Sequence, residues 1–118
     1  MKLYLPINYL ETDDFNDNGL NIKSDKPALI LIQGDFCHFC TDCKPHFQQF
    51  ADKYSNNINC FTAQIDGNRP SEQKLSSVIA HLDPSFKGAV PQYILLINGK
   101  NKSHTGKMTL VELEKFIS

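Results

Sequence analysis

At 118 residues, 41% of them hydrophobic and 21% charged, the chain suits one domain that buries a core without disulfide staples. A formal net charge of -1, a single arginine (Arg69) and no basic block argue against binding nucleic acid by phosphate neutralisation. No apolar stretch is long enough to span a bilayer, and the opening Met1-Lys2-Leu3-Tyr4-Leu5-Pro6 lacks the apolar core and cleavage site of a secretion signal.

Four cysteines without such a signal imply a reducing, cytoplasmic compartment and thiols that react or bind metal. The abundance of Lys, Asn and Ile beside one Arg and no Trp is the bias of AT-rich genomes, some large DNA viruses among them.

Residues 3–10 predict a first, irregular strand that Pro6 confines to a sheet edge. Thr12-Asp13-Asp14-Phe15 reads as a helix start, with Thr12 as N-cap and acids in the first turn. Asn18-Gly19 ends this short helix or turn, and Asp13, Asp14 and Asp17 form its solvated acidic face. Residues 28–32 are apolar without alternation, which predicts a strand covered on both faces. Phe39, Cys43, Phe47, Phe50 and Tyr54 then recur at helical spacing, so residues 39–54 predict a helix, kinked at Pro45. Residues 58–65 predict the next strand.

Ser71 is the expected cap of a helix whose apolar face is Leu75, Val78, Ile79 and Leu82, with Pro84 beyond its end. Residues 93–97 predict another buried strand, turned at Asn98-Gly99 into a short partner over 102–105. Thr109-Leu110-Val111-Glu112 is a capping box that opens a last helix, with Leu110, Leu113, Phe116 and Ile117 facing inward. The order β-α-β-α-β-α-β-β-α implies an α/β fold with helices on both faces of a mixed sheet.

Between the strand at 28–32 and the helix at 39–54 stands Cys37-His38-Phe39-Cys40. Two cysteines at this spacing close a small ring when the first turn of a helix puts both sulfurs on one side. A strand, then C-x-x-C, then a helix is the layout of a dithiol–disulfide redox site. Cys37 falls at the helix N-terminus, where the dipole and unpaired N–H groups favour a thiolate, the nucleophilic form. It is the candidate attacking sulfur. Cys40, one turn further in, is the candidate resolving thiol.

His38 is a candidate for redox tuning, because an imidazolium beside Cys37 makes the disulfide more oxidising; Asp35 and Asp42 act in the opposite direction. The plainer reading of His38 is a solvent-facing residue. Phe39 and Phe36 are candidates for an apolar substrate platform, although Phe39 also fits the first position of the core stripe. Cys37, Cys40 and Cys43, with His46 continuing the spacing of three, leave a zinc or iron–sulfur site open. Core packing is the simpler role for Cys43 and for Cys60. His46, His81 and His104 read as surface or cap residues.

The order of elements together with the motif resembles a thioredoxin, over residues 9–118. Besides C-x-x-C, Lys44-Pro45 stands where thioredoxins carry their helix-kinking proline, and Val90-Pro91 precedes a buried strand where the family has a cis-proline loop. Leu96-Ile97-Asn98-Gly99-Lys100, Gly106 and the amphipathic last helix also match. The resemblance implies a single thioredoxin-like domain over 1–118, with a central mixed five-stranded sheet flanked by helices on both faces. It implies disulfide exchange with protein disulfides at Cys37 and Cys40 and recharging by a thioredoxin reductase or other thiol donor, with no cofactor, nucleic acid or membrane involved. Val90 and Pro91 become substrate-binding residues, because a substrate peptide pairs with the backbone before the cis-proline in this fold.

The chain also departs from the family. Phe36 replaces a tryptophan, and His38-Phe39 replaces Gly-Pro. Phe39 and Val90-Pro91-Gln92 are closer to glutaredoxins, which leaves a glutathione-linked activity as one alternative. A metal-binding or non-catalytic interaction module on the same fold is another. Register from Cys37 and Asp66 places Leu31 and Thr62 where thioredoxins bury an aspartate and a lysine. The two losses belong together, since either charge alone would be costly in a core. Residues 66–91 exceed the family's usual span by about two to three helical turns, which the resemblance assigns to the helix over 71–82 and the loop after it.

Overall fold

The computed structural model describes residues 2–16, 19–21, 25–67 and 70–118, with backbone only for Ser71 and Gln73. Asp17 of the acidic face, Asn18 of the first turn and the capping side chain of Ser71 lie outside the described residues. Among the described residues seven strands, β1 (Asn8–Tyr9), β2 (Phe15–Asn16), β3 (Gly19–Leu20), β4 (Ala28–Gln33), β5 (Asn59–Gln64), β6 (Gln92–Ile97) and β7 (Lys100–Thr105), accompany helices α1 (His38–Tyr54), α2 (Pro70–Leu82) and α3 (Leu110–Ile117). Five strands make one mixed sheet in the order β1-β5-β4-β6-β7; β2 and β3 form a separate ribbon. β4 is central, parallel to β5 and antiparallel to β6. Every residue of β4 is buried, as its unbroken apolar run requires.

Alternation along β4 divides the core in two. Leu29 and Leu31 face α1 and α3, packing with Cys43, Phe47, Phe50, Tyr93, Leu113 and Phe116. Ile30 and Ile32 face α2, packing with Phe61, Ala63, Leu75, Ile79 and Ile94. Phe47 and Phe50 are fully buried, and together they contribute on the order of 3–6 kcal/mol of apolar burial before ordering entropy. Asn98 and Gly99 both take positive φ, 51° and 75°, as the two-residue hairpin between β6 and β7 demands. Thr109 caps α3 through a reciprocal box with Glu112. Among the described residues no helix is long and apolar enough to cross a membrane.

Several expectations need correction. The predicted helix at Thr12 is a 3-10 turn over Thr12–Asp14, and its N-cap is Glu11, paired in a capping box with Asp14. Three residues cannot outweigh the cost of helix nucleation, and the chain moves straight into the β2–β3 ribbon. α2 begins at Pro70, so Ser71 lies inside its first turn; proline suits a first helical position. The first sheet strand is only Asn8–Tyr9. β7 starts at Lys100, directly after the turn, rather than at Lys102.

A thiol pair at the end of the central strand

β4 delivers the chain to a four-residue loop and then to α1. Cys37 is the N-cap of α1, and its sulfur accepts the backbone N–H of Cys40 at 3.2 Å. It is partly exposed. On its other side its thiol donates to the carbonyl of Val90 at 3.5 Å. The Val90–Pro91 peptide is cis, and Pro91 is buried. The geometry thus gathers Cys37, Cys40 and Val90, with Pro91 adjacent.

Cys40 is fully buried. Burial, followed by its interaction with the Cys37 sulfur, pushes its thiol up to about 12, while the N–H of Gly34, 3.5 Å from the Cys40 sulfur, pulls the other way. Cys43 is buried one turn on and donates to the Cys40 carbonyl at 3.3 Å; burial raises its pKa. Cys60, within β5, is pushed up to about 12 by burial. Of the four thiols Cys37 is the one with solvent access.

Phe36 is 90% exposed and Phe39 55% exposed, so Phe39 leaves the core stripe and joins an apolar rim. The Lys107 ammonium lies 5.3 Å from the Phe39 ring centre and 3.2 Å from Asp42. His38, 83% exposed, reaches Asp42 at 3.8 Å. His46 accepts the N–H of Leu110 at the start of α3, and His104 stands between the Tyr93 and Phe116 rings. Among the described residues no three His, Cys, Asp or Glu side chains gather where a metal ion could be held.

Leu31 and Thr62 are opposite one another in the β4–β5 register. Both are fully buried, and the Thr62 hydroxyl donates to the Leu31 carbonyl at 2.8 Å. The hydroxyl is satisfied without introducing charge.

Three supporting groups escaped the sequence reading. The Asp66 carboxylate accepts the N–H of Asp35 at 3.0 Å and of Phe36 at 2.9 Å, and so clasps the loop that carries Cys37. A Cβ on Gly34 would lie 2.7 Å from that carboxylate, which explains glycine there. Asp83 is 6% exposed. It accepts from Ser85 N at 3.1 Å, Ser85 Oγ at 2.7 Å, Gln92 Nε2 at 3.1 Å and Ser103 Oγ, fastening the loop that carries Val90 to β6 and β7. Burial pushes its carboxyl upward, but these hydrogen bonds together hold it below the usual range. Finally, Lys44 is 1% exposed and forms an ion pair with Asp35 at 3.1 Å. An Asx-type turn at Asp83-Pro84-Ser85 was a usable signal for Asp83. Lys44 had none beyond its place four residues after Cys40, and Asp66 none beyond its use as a register position.

A central mixed sheet, helices on both faces and a dithiol at the N-terminus of α1 define a thioredoxin-fold protein. No family model matches the chain. It is 31% identical over 115 residues to a protein described as thioredoxin-like, 453L of Invertebrate iridescent virus 6, covering 86% of this chain and 83% of that one. It is also 31% identical over 64 residues to a thioredoxin of Borreliella burgdorferi, 54% of this chain and 51% of that protein. The crystal structure of a chloroplastic thioredoxin z superposes with a TM-score of 0.64 at 10% identity, over 79% of this chain and 76% of that one, a likeness of fold. The chain belongs to the thioredoxin-like family.

Proposed function

We propose that the chain is a thiol–disulfide oxidoreductase, exchanging its Cys37–Cys40 dithiol with disulfides of other proteins. The observation that carries this reading is the asymmetry of the two sulfurs: Cys37 is partly exposed at the helix cap, and Cys40 is buried behind it. The Cys37 thiolate attacks one sulfur of a target disulfide, and the other target sulfur leaves as a thiolate. The Cys40 thiolate then attacks Cys37 Sγ, closing the ring and releasing the second target sulfur. Two electrons pass from the dithiol to the target. An external thiol donor, of the thioredoxin-reductase kind, must return them.

The surroundings support a protein-sized target. Phe36 and Phe39 offer apolar surface beside Cys37, and the Val90 backbone lies within hydrogen-bonding reach of its sulfur. His38 stands on the open side, 3.8 Å from Asp42.

The test is dithiothreitol-driven reduction of insulin disulfides, with the midpoint potential measured against glutathione to give the direction of electron flow. Cys37→Ser should abolish turnover, and Cys40→Ser should accumulate mixed disulfides. A wild-type protein without turnover, or a Cys40→Ser variant that turns over normally and traps nothing, overturns the proposal.

A further inference from the structure

The buried lysine of α1 is the charge that the two-sulfur scheme leaves unused. Lys44 follows Cys40 by four residues, so the two side chains share one face of α1 about 5–6 Å apart at Cβ. Helical side chains lean toward the N-terminus. The Lys44 stem therefore runs back over the turn that holds Cys40, and its ammonium meets Asp35 Oδ1 at 3.1 Å, two residues before Cys37. The other oxygen of Asp35 takes Gln64 Nε2 at 3.2 Å. Gln33 stands opposite Gln64 in the register, on the α1 side of the sheet by alternation. It is fully buried, with neither amide atom bonded to a described residue. Leu31 and Thr62 carry no charge, but the next position along this face is a glutamine on both strands, and Gln64 bonds the acid of the ion pair.

Resting on the oxidoreductase reading, we propose that Lys44 is a positioning residue for the resolving step: its ammonium, held in place by Asp35, stabilises the Cys40 thiolate as that sulfur attacks the mixed disulfide on Cys37. In that step the Cys40–Cys37 bond forms while the bond from Cys37 to the target sulfur breaks. The electron pair leaves on the target sulfur, and the Cys40 proton has already gone to water.

Among the described residues, the titratable groups that bear on Cys40 are the neighbouring thiols Cys37 and Cys43. Cys43 on α1 and Tyr93 on β6 are both kept protonated by burial. The Asp66 carboxylate at the end of β5 is engaged by two backbone N–H groups of the loop. Cys37 raises the Cys40 pKa in the reduced protein, and that influence ends once Cys37 is part of a mixed disulfide. Burial and Cys43, which raise it, and the Gly34 N–H, which lowers it, remain; to these is added the proposed influence of the Lys44–Asp35 pair, whose two ends act in opposite senses. Lys44 favours the thiolate, and Asp35 tempers it.

The opposite senses supply the experiment. In the Cys37→Ser background, 13Cβ-cysteine NMR titration reads the Cys40 midpoint with no target present. Lys44→Met keeps the aliphatic stem and should raise that midpoint by about one pH unit, from the loss of one positive charge on the same helix face in a partly screened site. Lys44→Arg should restore it, and Asp35→Asn should lower it by about half a unit. With Cys37 intact, stopped-flow release of the second target thiol near neutral pH should slow about tenfold in Lys44→Met, recover at high pH, and quicken in Asp35→Asn.

Shifts in the same direction for both variants, or none, overturn the proposal and leave a purely structural pair. If Lys44→Met does not fold, Asp35→Asn decides alone: a lowered midpoint supports the proposal, and an unchanged or raised one overturns it. Opposite shifts in a protein that forms no mixed disulfide overturn the oxidoreductase reading and the role in resolution, leaving only the charge coupling.

Discussion

Replacing Asp83 with alanine tests whether the loop that meets Cys37 is held from behind. The substitution removes the acceptor of four hydrogen bonds at a 6% exposed site. Ser85 and Ser103 are exposed residues and can turn to water. Gln92 is 1% exposed, and its amide donor cannot. One stranded buried donor costs about 1–3 kcal/mol and each re-solvated serine a few tenths to about 1 kcal/mol, so the loss is about 2–4 kcal/mol. For a chain of this size that is a fall in Tm of about 8–15 °C.

Val90 should then lie less firmly against Cys37, and insulin reduction should fall about tenfold, because small misplacements near reacting atoms are costly. The pH dependence has a definite sign. The folded carboxyl is held below its ordinary value, so its contribution is fully present above the unfolded pKa of about 3.9 and is lost as pH falls through the lower folded value. The gap between wild type and Asp83→Ala should therefore stay constant through neutral pH and close only below about pH 4. Circular-dichroism melts from pH 7 to pH 2 measure it. A variant melting within about 2 °C of wild type at pH 7, or a gap that closes near neutrality, refutes the reasoning.

Iodoacetamide should modify Cys37 first, Cys40 and Cys43 far more slowly, and Cys60 only on unfolding, as read by peptide mass mapping; early labelling of Cys40 would reverse the assigned roles. Gly34→Ala should force the Asp66 carboxylate away from its two N–H donors, at a cost of about 1–3 kcal/mol seen in urea unfolding, and an unchanged midpoint would show that the clasp is slack. Leu31→Asp places a carboxylate in a fully buried site, so it should cost about 3–5 kcal/mol. It should also quicken release of the second target thiol about tenfold at neutral pH by supplying a general base. Equal release rates would mean that no carboxylate is missed there.

What could be read directly was whatever depends on spacing. The apolar run before Cys37, the helical stripe through Phe47 and Phe50, and the Thr109 capping box are local patterns, and each stands where the chain alone put it. The β2–β3 ribbon escaped because two-residue strands have no period to detect. Asp66, Asp83 and Lys44 escaped for a different reason. Their partners are 20 or more residues away in some bonds and close neighbours in others, and a charged side chain looks the same in sequence whether water or a loop surrounds it. Phe39 shows the limit of periodicity itself. It has the correct phase for the core, but it stands on the first turn of α1 and is more than half exposed.

β7 carries the sequence Lys100-Asn101-Lys102-Ser103-His104-Thr105 along the outer edge of the sheet, mostly in water. A border strand of this kind resists growth by addition of a further strand, because a joining chain would have to accommodate its lysines. The consequence concerns crowding more than catalysis. For the exchange with other proteins proposed above, a charged border of this kind disfavours lasting association by strand addition at this margin. Exchanging Lys100 for threonine would probe this, by light scattering of concentrated mixtures with reduced insulin; Lys102 is left in place because its ammonium bonds the Phe116 carbonyl at 2.7 Å.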